Sequence, residues 1–480
     1  MNRRMIAYIL GWILIAEAIM MAPSLLVGLI YREPSYRYFV LPMLLLLALG
    51  GIFVVRRPQN TAIFARDGCF IVAASWTALS LFGALPFYLS GYFASIWDCI
   101  FEITSGFTTT GASVLKAVEA LPNCLLFWRS FSHWIGGMGV LVFVLAIAPL
   151  ADERSLHLLR AEVPGPVVGK LVPRMRETAK ILYGVYSVMT VILILLLCAG
   201  GMPLFDSVCH AFGAAGTGGF AIKNAGIAFY DSAYIEIVLA VFMLLFGVNF
   251  NLYYFLLIGQ LRETLKSEEL RWYAVIVAFS TLVIALNIFS LYGEVGLSLQ
   301  HAFFQVSSII TTTGYATADF AQHWPQFSQM LLVLLMIVGA CAGSTGGGLK
   351  ISRLILLVKS FFQEIRHIIS PRAVRVVRLD GHAVSGETLD STRVYFVGYM
   401  FILFISTLLL SLDGFDFTTN LTAEIACFNN IGPGLGLVGP MGNFSAYSPF
   451  SKMLLSVNML LGRLEIYPIL IVFSRAAWRR

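Results

Sequence analysis

Thr108-Thr109-Thr110-Gly111-Ala112 recurs in the same chain as Thr311-Thr312-Thr313-Gly314-Tyr315. Each copy follows a short apolar stretch with an aromatic and an acid or amide: Phe101-Glu102-Ile103-Thr104 before the first, Phe303-Phe304-Gln305-Val306 before the second. Extended backbone ending in glycine can turn successive carbonyl oxygens into a narrow lumen, which suits a dehydrated alkali cation inside a membrane. Glycine is needed because the carbonyl ring forces backbone angles that other residues tolerate poorly. Such backbone survives at membrane depth only where protein buries it or it lines a wet cavity.

Two more glycine-rich strings complete a set: Gly213-Ala214-Ala215-Gly216-Thr217-Gly218-Gly219-Phe220 and Asn429-Asn430-Ile431-Gly432-Pro433-Gly434-Leu435-Gly436. With Gly111, Gly218, Gly314 and Gly432 taken as equivalent, the spacings are 107, 96 and 118 residues. One such string reads equally well as a turn. Four at regular spacing read as a repeat. The candidate carbonyl donors are Thr109, Thr110, Gly111, Gly216, Thr217, Gly218, Thr312, Thr313, Gly314, Asn430, Ile431 and Gly432.

The positioning elements must lie in a bilayer. Hydrophobic residues make up 58% of the 480 and charged residues 12%, where a soluble protein carries about 25% charged. The mean hydropathy is +0.83. Apolar spans fall near 5–30, 38–55, 68–90, 124–150, 180–200, 233–258, 271–291, 326–359, 391–412 and 453–474. Between them lie stretches of about a dozen residues, near 94–107, 203–215, 298–310 and 418–429, too short to cross a hydrocarbon core of about 30 Å. Each precedes a glycine string and fits a re-entrant half-helix, whose C-terminal end favours a cation. The reading is an all-α polytopic membrane protein with pseudo-fourfold symmetry. Two N-terminal helices (1–60) precede four pore repeats at 61–150, 151–265, 266–370 and 371–480.

Charge sets the expected topology. Arg154, Arg160, Lys170, Arg174, Arg176 and Lys180 cluster in one connection, and Lys350, Arg353, Lys359, Arg366, Arg372, Arg375, Arg378 and Arg393 in another. The positive-inside rule puts both termini in the cytoplasm and the glycine strings toward the outside. The net charge of +6 is spread between spans and is no nucleic-acid signal. The seven Cys contain no CxxC pair, so neither a disulfide framework nor a zinc site is indicated.

Two further constellations lie at depth. Arg463, within Leu460-Leu461-Gly462-Arg463-Leu464-Glu465, is costly in a span unless it faces a cavity or a partner. Glu465 is two residues away and does not share its helix face, so a lumen-facing electrostatic barrier is favoured over a structural pair. Gly343, Ser344, Thr345, Gly346, Gly347 and Gly348 interrupt the eighth span. Three consecutive glycines exceed what helix packing needs and point to a flexible intramembrane gate. Gly434–Gly439 matches GxGxxG, but no strand or βαβ unit precedes it. Asn249 and Asn251 read as interhelical hydrogen-bonding residues, and His133, His210 and His301 as structural or interfacial.

These motifs together resemble the Trk/Ktr/HKT superfamily of potassium transporters, and within it the TrkH type, over essentially the whole chain. TTTGAS at 108–113, GTGGF at 216–220, TTTGYAT at 311–317 and NNIGPGLG at 429–436 resemble its four filter loops, and CAGSTGGG at 341–348 its gating loop. The resemblance implies four M1-P-M2 potassium-channel-like repeats, with potassium held at the filter residues as substrate. It implies no cofactor in this chain and a homodimer with one pore per protomer. It also implies a nucleotide-binding cytoplasmic regulatory subunit of the TrkA type and a bacterial inner membrane with its lipid as the setting. A proton- or sodium-coupled symporter is the competing reading; it would use buried acids such as Glu102, Glu424 or Glu465 as a relay. A membrane enzyme lacks any motif to support it.

Overall fold

The computed structural model describes residues 2–60, 63–139, 175–371 and 376–474. Of the basic connections, 151–174, 372–375 and the C-terminal 475–480 lie outside the described residues. Six described helices are long and apolar enough to cross a membrane: Arg3–Ile30, Pro34–Val54, Arg66–Ser90, Lys180–Ala199, Glu268–Tyr292 and Gly386–Asp413. Their chemistry is inside out relative to a soluble protein. On Glu268–Tyr292 the polar Glu269, Ser280 and Thr281 are buried, while Leu282 and Leu286 are 57% and 70% exposed. Apolar surface of this extent marks contact with lipid.

The four short stretches form helices Ile96–Phe107, Leu204–Gly216, Val295–Ile310 and Phe417–Phe428. With 12 to 16 residues each, at a rise of about 1.5 Å per residue they reach only part-way across. The two N-terminal helices pack on each other and on the first repeat. Gly11 and Gly50 face each other there, and a Cβ on Gly50 would meet the Gly11 carbonyl. Small residues allow that approach in lipid.

Three of the helices that follow the half-helices differ from the continuous spans expected. The sixth is Ala233–Phe246 joined to Phe250–Leu257 with an 89° bend. Gly247 sits at the break, and Asn249 caps the second segment, its Oδ1 accepting from the Asn251 amide at 2.9 Å. Asn249 is therefore a local cap, where an interhelical role was expected. The eighth splits into Gln326–Val338 and Ile351–Ile369. The tenth bends by 120° between Pro449–Arg463 and Tyr467–Phe473. Glu465 and Ile466 take φ of +56° and +68° at that bend, and Pro468 opens the new helix where its missing N–H costs nothing. The expected fourth span is described as the helix Asn123–Gly137, and its remainder, 140–150, lies outside the described residues. The strands among the described residues form one hairpin, Arg378–Leu379 against His382–Ala383.

Candidate functional site

Each half-helix ends in the same cap. The residue just past its last turn takes a left-handed conformation: Thr109, Thr217, Thr312 and Asn430 have φ of +55°, +55°, +59° and +57°. The amide of the next residue then donates back into the helix at 2.8 Å, Thr110 to Ser105 O, Gly218 to Gly213 O, Thr313 to Ser308 O and Ile431 to Ala426 O. This is a Schellman cap, which usually places glycine at the left-handed position. Here threonine and asparagine occupy it, and the glycine follows two residues later.

The second loop corrects the sequence alignment. Gly111, Gly314 and Gly432 have φ of +79°, +84° and +99°, and the second-loop residue in that conformation is Gly219, at +74°. The equivalent triplet is thus Thr217-Gly218-Gly219. Gly216 is the last residue of the half-helix, pressed against the His133 carbonyl. The expectation slipped by one because Gly218 and Gly219 are adjacent and only backbone angle distinguishes them.

The glycines close a ring. A Cβ built on Gly111 would strike the carbonyl oxygen of Gly218, one on Gly219 that of Thr313, one on Gly314 that of Ile431, and one on Gly432 that of Thr110. Each repeat thus packs a bare Cα against the carbonyl one residue before the glycine of the next. The order 1→2→3→4→1 is pseudo-fourfold. Above the ring an open pocket of ≈ 160 Å³ is lined by Gly111, Gly219, Gly314 and Gly432 together.

Below the ring lies the segment 339–350, pinned where a free flap was expected. Glu269 Oε1 accepts from the amides of Ala342 and Ser352 at 2.8 and 3.0 Å. The Gly347 amide donates to Thr312 Oγ1 at 2.7 Å, and Lys350 Nζ to Gly346 O. A Cβ on Gly347 would collide with Asn429 O. The glycine run therefore lets backbone press against the undersides of the third and fourth loops. Arg463 ties this segment to two other repeats: Nη1 donates to Thr345 O at 2.7 Å, and Nη2 to Gly136 O at 2.5 Å and Gly137 O at 3.1 Å. Glu465 pairs with Arg353.

A family model for TrkH, described as a cation transport protein, matches residues 38–479. The chain belongs to the TrkH family. It is 37% identical to the Trk system potassium uptake protein TrkH of Salmonella typhimurium (strain LT2), with 100% of each chain covered. It is 33% identical to TrkG of Escherichia coli (strain K12), covering 99% of each. The crystal structure of the potassium transporter TrkH from Vibrio parahaemolyticus matches with a TM-score of 0.90 and 33% identity, again over 100% of both chains. The chain is accordingly an all-α multi-pass membrane protein of a transporter family.

In this TrkH-family chain Glu102 and Glu424 were named from sequence as buried acids, but their partners, and the buried Lys452–Asp98 pair, were not. Arg129 Nε donates to Glu102 Oε1 at 2.6 Å, and Glu102 also accepts from Ser113 Oγ and the Val114 amide, each at 2.9 Å. Lys452 Nζ reaches Asp98 Oδ1 at 2.5 Å. Glu424 accepts from Asn458 Nδ2 at 2.9 Å. A charge inside an apolar segment was the available signal; the partners, 27 to 354 residues apart, were not.

Proposed function

We propose that this chain moves potassium across the cytoplasmic membrane of a bacterium along one path through the four-glycine ring. The observation that carries it is the closed ring itself: four half-helix C-termini, four left-handed caps and four glycines whose Cα atoms abut carbonyls of the next loop. Such an array supplies fixed carbonyl dipoles in place of a hydration shell. The relatives are named for potassium uptake. The proposed ion-holding residues are Thr109–Gly111, Thr217–Gly219, Thr312–Gly314 and Asn430–Gly432.

Residues 339–350 with Arg463 form the proposed gate. The barrier is a guanidinium and a backbone segment lying directly under the ring. The glycine segment continues into Ile351–Ile369, and Lys359 of that helix pairs with Glu268 at 2.6 Å. The Glu268 amide in turn donates to Asp380 Oδ1 at 2.6 Å, in the turn of the hairpin. A cytoplasmic nucleotide-binding partner of the TrkA type acting on this hairpin would have a direct mechanical route to the gate. The homodimer, the cytoplasmic termini and the division into two leading helices plus four repeats belong to the same reading. Proton or sodium coupling has less to support it, because Glu102, Glu424 and Glu465 are each spent on a neighbour.

Purified protein in liposomes tests the reading. Potassium flux should follow the potassium gradient alone, with no dependence on an opposing pH or sodium gradient. Flux that requires either gradient would favour the symporter.

A further inference from the structure

The four loops are not supported alike. In the first, Thr108 Oγ1 lies 2.8 Å from Thr110 Oγ1, and in the third Thr311 Oγ1 lies 2.8 Å from Thr313 Oγ1. In the fourth, Asn430 Nδ2 donates to Thr110 Oγ1 at 3.0 Å and to Met459 O at 2.9 Å. The second loop has Gly216 and Gly218 at the two positions that carry threonine in loops one and three. It has no side chain there with which to brace itself.

Its neighbours do the bracing. The His133 ring stacks on Phe220 with centroids 4.2 Å apart and fills the space beside Gly218, where a Cβ would strike it. Arg129, one turn earlier on the same helix, donates Nη1 to Ala221 O at 2.7 Å while its Nε holds Glu102. Its Cζ lies 3.6 Å from the centroid of Phe220. From the other side the Tyr315 hydroxyl, one residue past Gly314, reaches His210 O at 3.1 Å and Phe220 O at 3.4 Å. Of the two carbonyls directly beyond Gly219, that of Ala221 is thus held from repeat one, and that of Phe220 shares the Tyr315 hydroxyl of repeat three with His210 O.

We propose that Arg129 and Tyr315 are positioning residues that set the ion preference of the ring, by fixing the peptide planes beyond Gly219 in the one loop whose two bracing positions are both glycine. This rests on reading the loops as a filter. The geometry asks for arginine specifically. Two separate nitrogens must serve Glu102 and Ala221 O at once, and a lysine ammonium is a single point. The charge must stay, because removing it would strand a buried carboxylate.

The test uses full-length Arg129→Lys and Tyr315→Phe in liposomes, with potassium and sodium fluxes measured in parallel. Tyr447→Phe is the control: its buried hydroxyl donates to Asn420 Oδ1 at 3.0 Å, away from loop two. Gly314→Ser reports on the filter reading itself. Each brace variant should lose about five- to tenfold in potassium-over-sodium preference, what one hydrogen bond to backbone is worth. Total cation flux and the elution profile should stay near wild type, and Tyr447→Phe should keep wild-type preference. If Arg129→Lys does not fold, Tyr315→Phe, which removes one oxygen, decides. Wild-type preference in the folded brace variants, with Gly314→Ser impaired, would overturn the brace and leave the filter standing. Wild-type preference in Gly314→Ser as well would remove the filter reading, and the brace with it. Equal loss in Tyr447→Phe would make the effect generic and overturn the assignment.

Discussion

Left-handed threonine costs on the order of 1–3 kcal/mol per site, and this chain accepts it at Thr109, Thr217 and Thr312. The strain persists because the cap hydrogen bonds and the neighbouring glycine fix the backbone on both sides. Thr217 is the cleanest place to measure it, since its hydroxyl serves only the adjacent Gly216 carbonyl. Thr217→Gly should raise the apparent melting temperature, through relief of about 1 kcal/mol, while the freer loop loses potassium preference. A lower melting temperature in thermal unfolding would show that the conformation is not strained. Arg463 sits at the same scale. Its three carbonyl partners lie in two repeats, the first and the third, so the proposed barrier is also a tie. Arg463→Ala should raise cation flux severalfold in liposomes and lower the melting temperature modestly, because water can reach the freed carbonyls. A folded mutant with unaltered flux would contradict the barrier.

Among the elements, the half-helices were legible in the sequence because twelve apolar residues before a glycine string have few alternatives in a bilayer. The breaks in the helices behind them were not. Gly247 lies in a strongly apolar run, and Arg463 and Glu465 at the Leu464–Ile466 turn signal a charge at depth, not a bend; the contacts at both breaks come from carbonyls and caps of distant repeats. The same limit hid the tether of the glycine segment. Glu269 reads as an ordinary first-turn acid on Glu268–Tyr292, yet it holds the Ala342 and Ser352 amides. Glu269→Gln keeps an acceptor but removes the charge, which is worth about 1 kcal/mol for bonds of this kind. Basal flux without a regulatory partner should rise about fivefold. Deleting Gly343–Gly348 should go further, giving flux that is high and indifferent to any cytoplasmic subunit or nucleotide. A deletion that stays closed, or one that still responds fully to the partner, would take the gate away from this segment.

At the scale of the molecule, one chain builds by repetition what a symmetric assembly builds from four copies, and repetition permits divergence. All four loops keep the spacing from the left-handed residue to the glycine while the residue types drift, from Thr-Thr-Gly to Thr-Gly-Gly and Asn-Ile-Gly. The repeat could therefore be read from glycine spacing, whereas the register of loop two required its backbone angles. The central claim is that the four glycines form a single ion path. Its most direct test is the ratio of potassium to sodium flux in liposomes for Gly111→Ser and Gly314→Ser. Each places a side chain at a positive φ and against the carbonyl of the next loop. The account predicts that both variants fold and that each loses tenfold or more of the preference, about 1.4 kcal/mol of discrimination. Wild-type selectivity in both folded variants would contradict it.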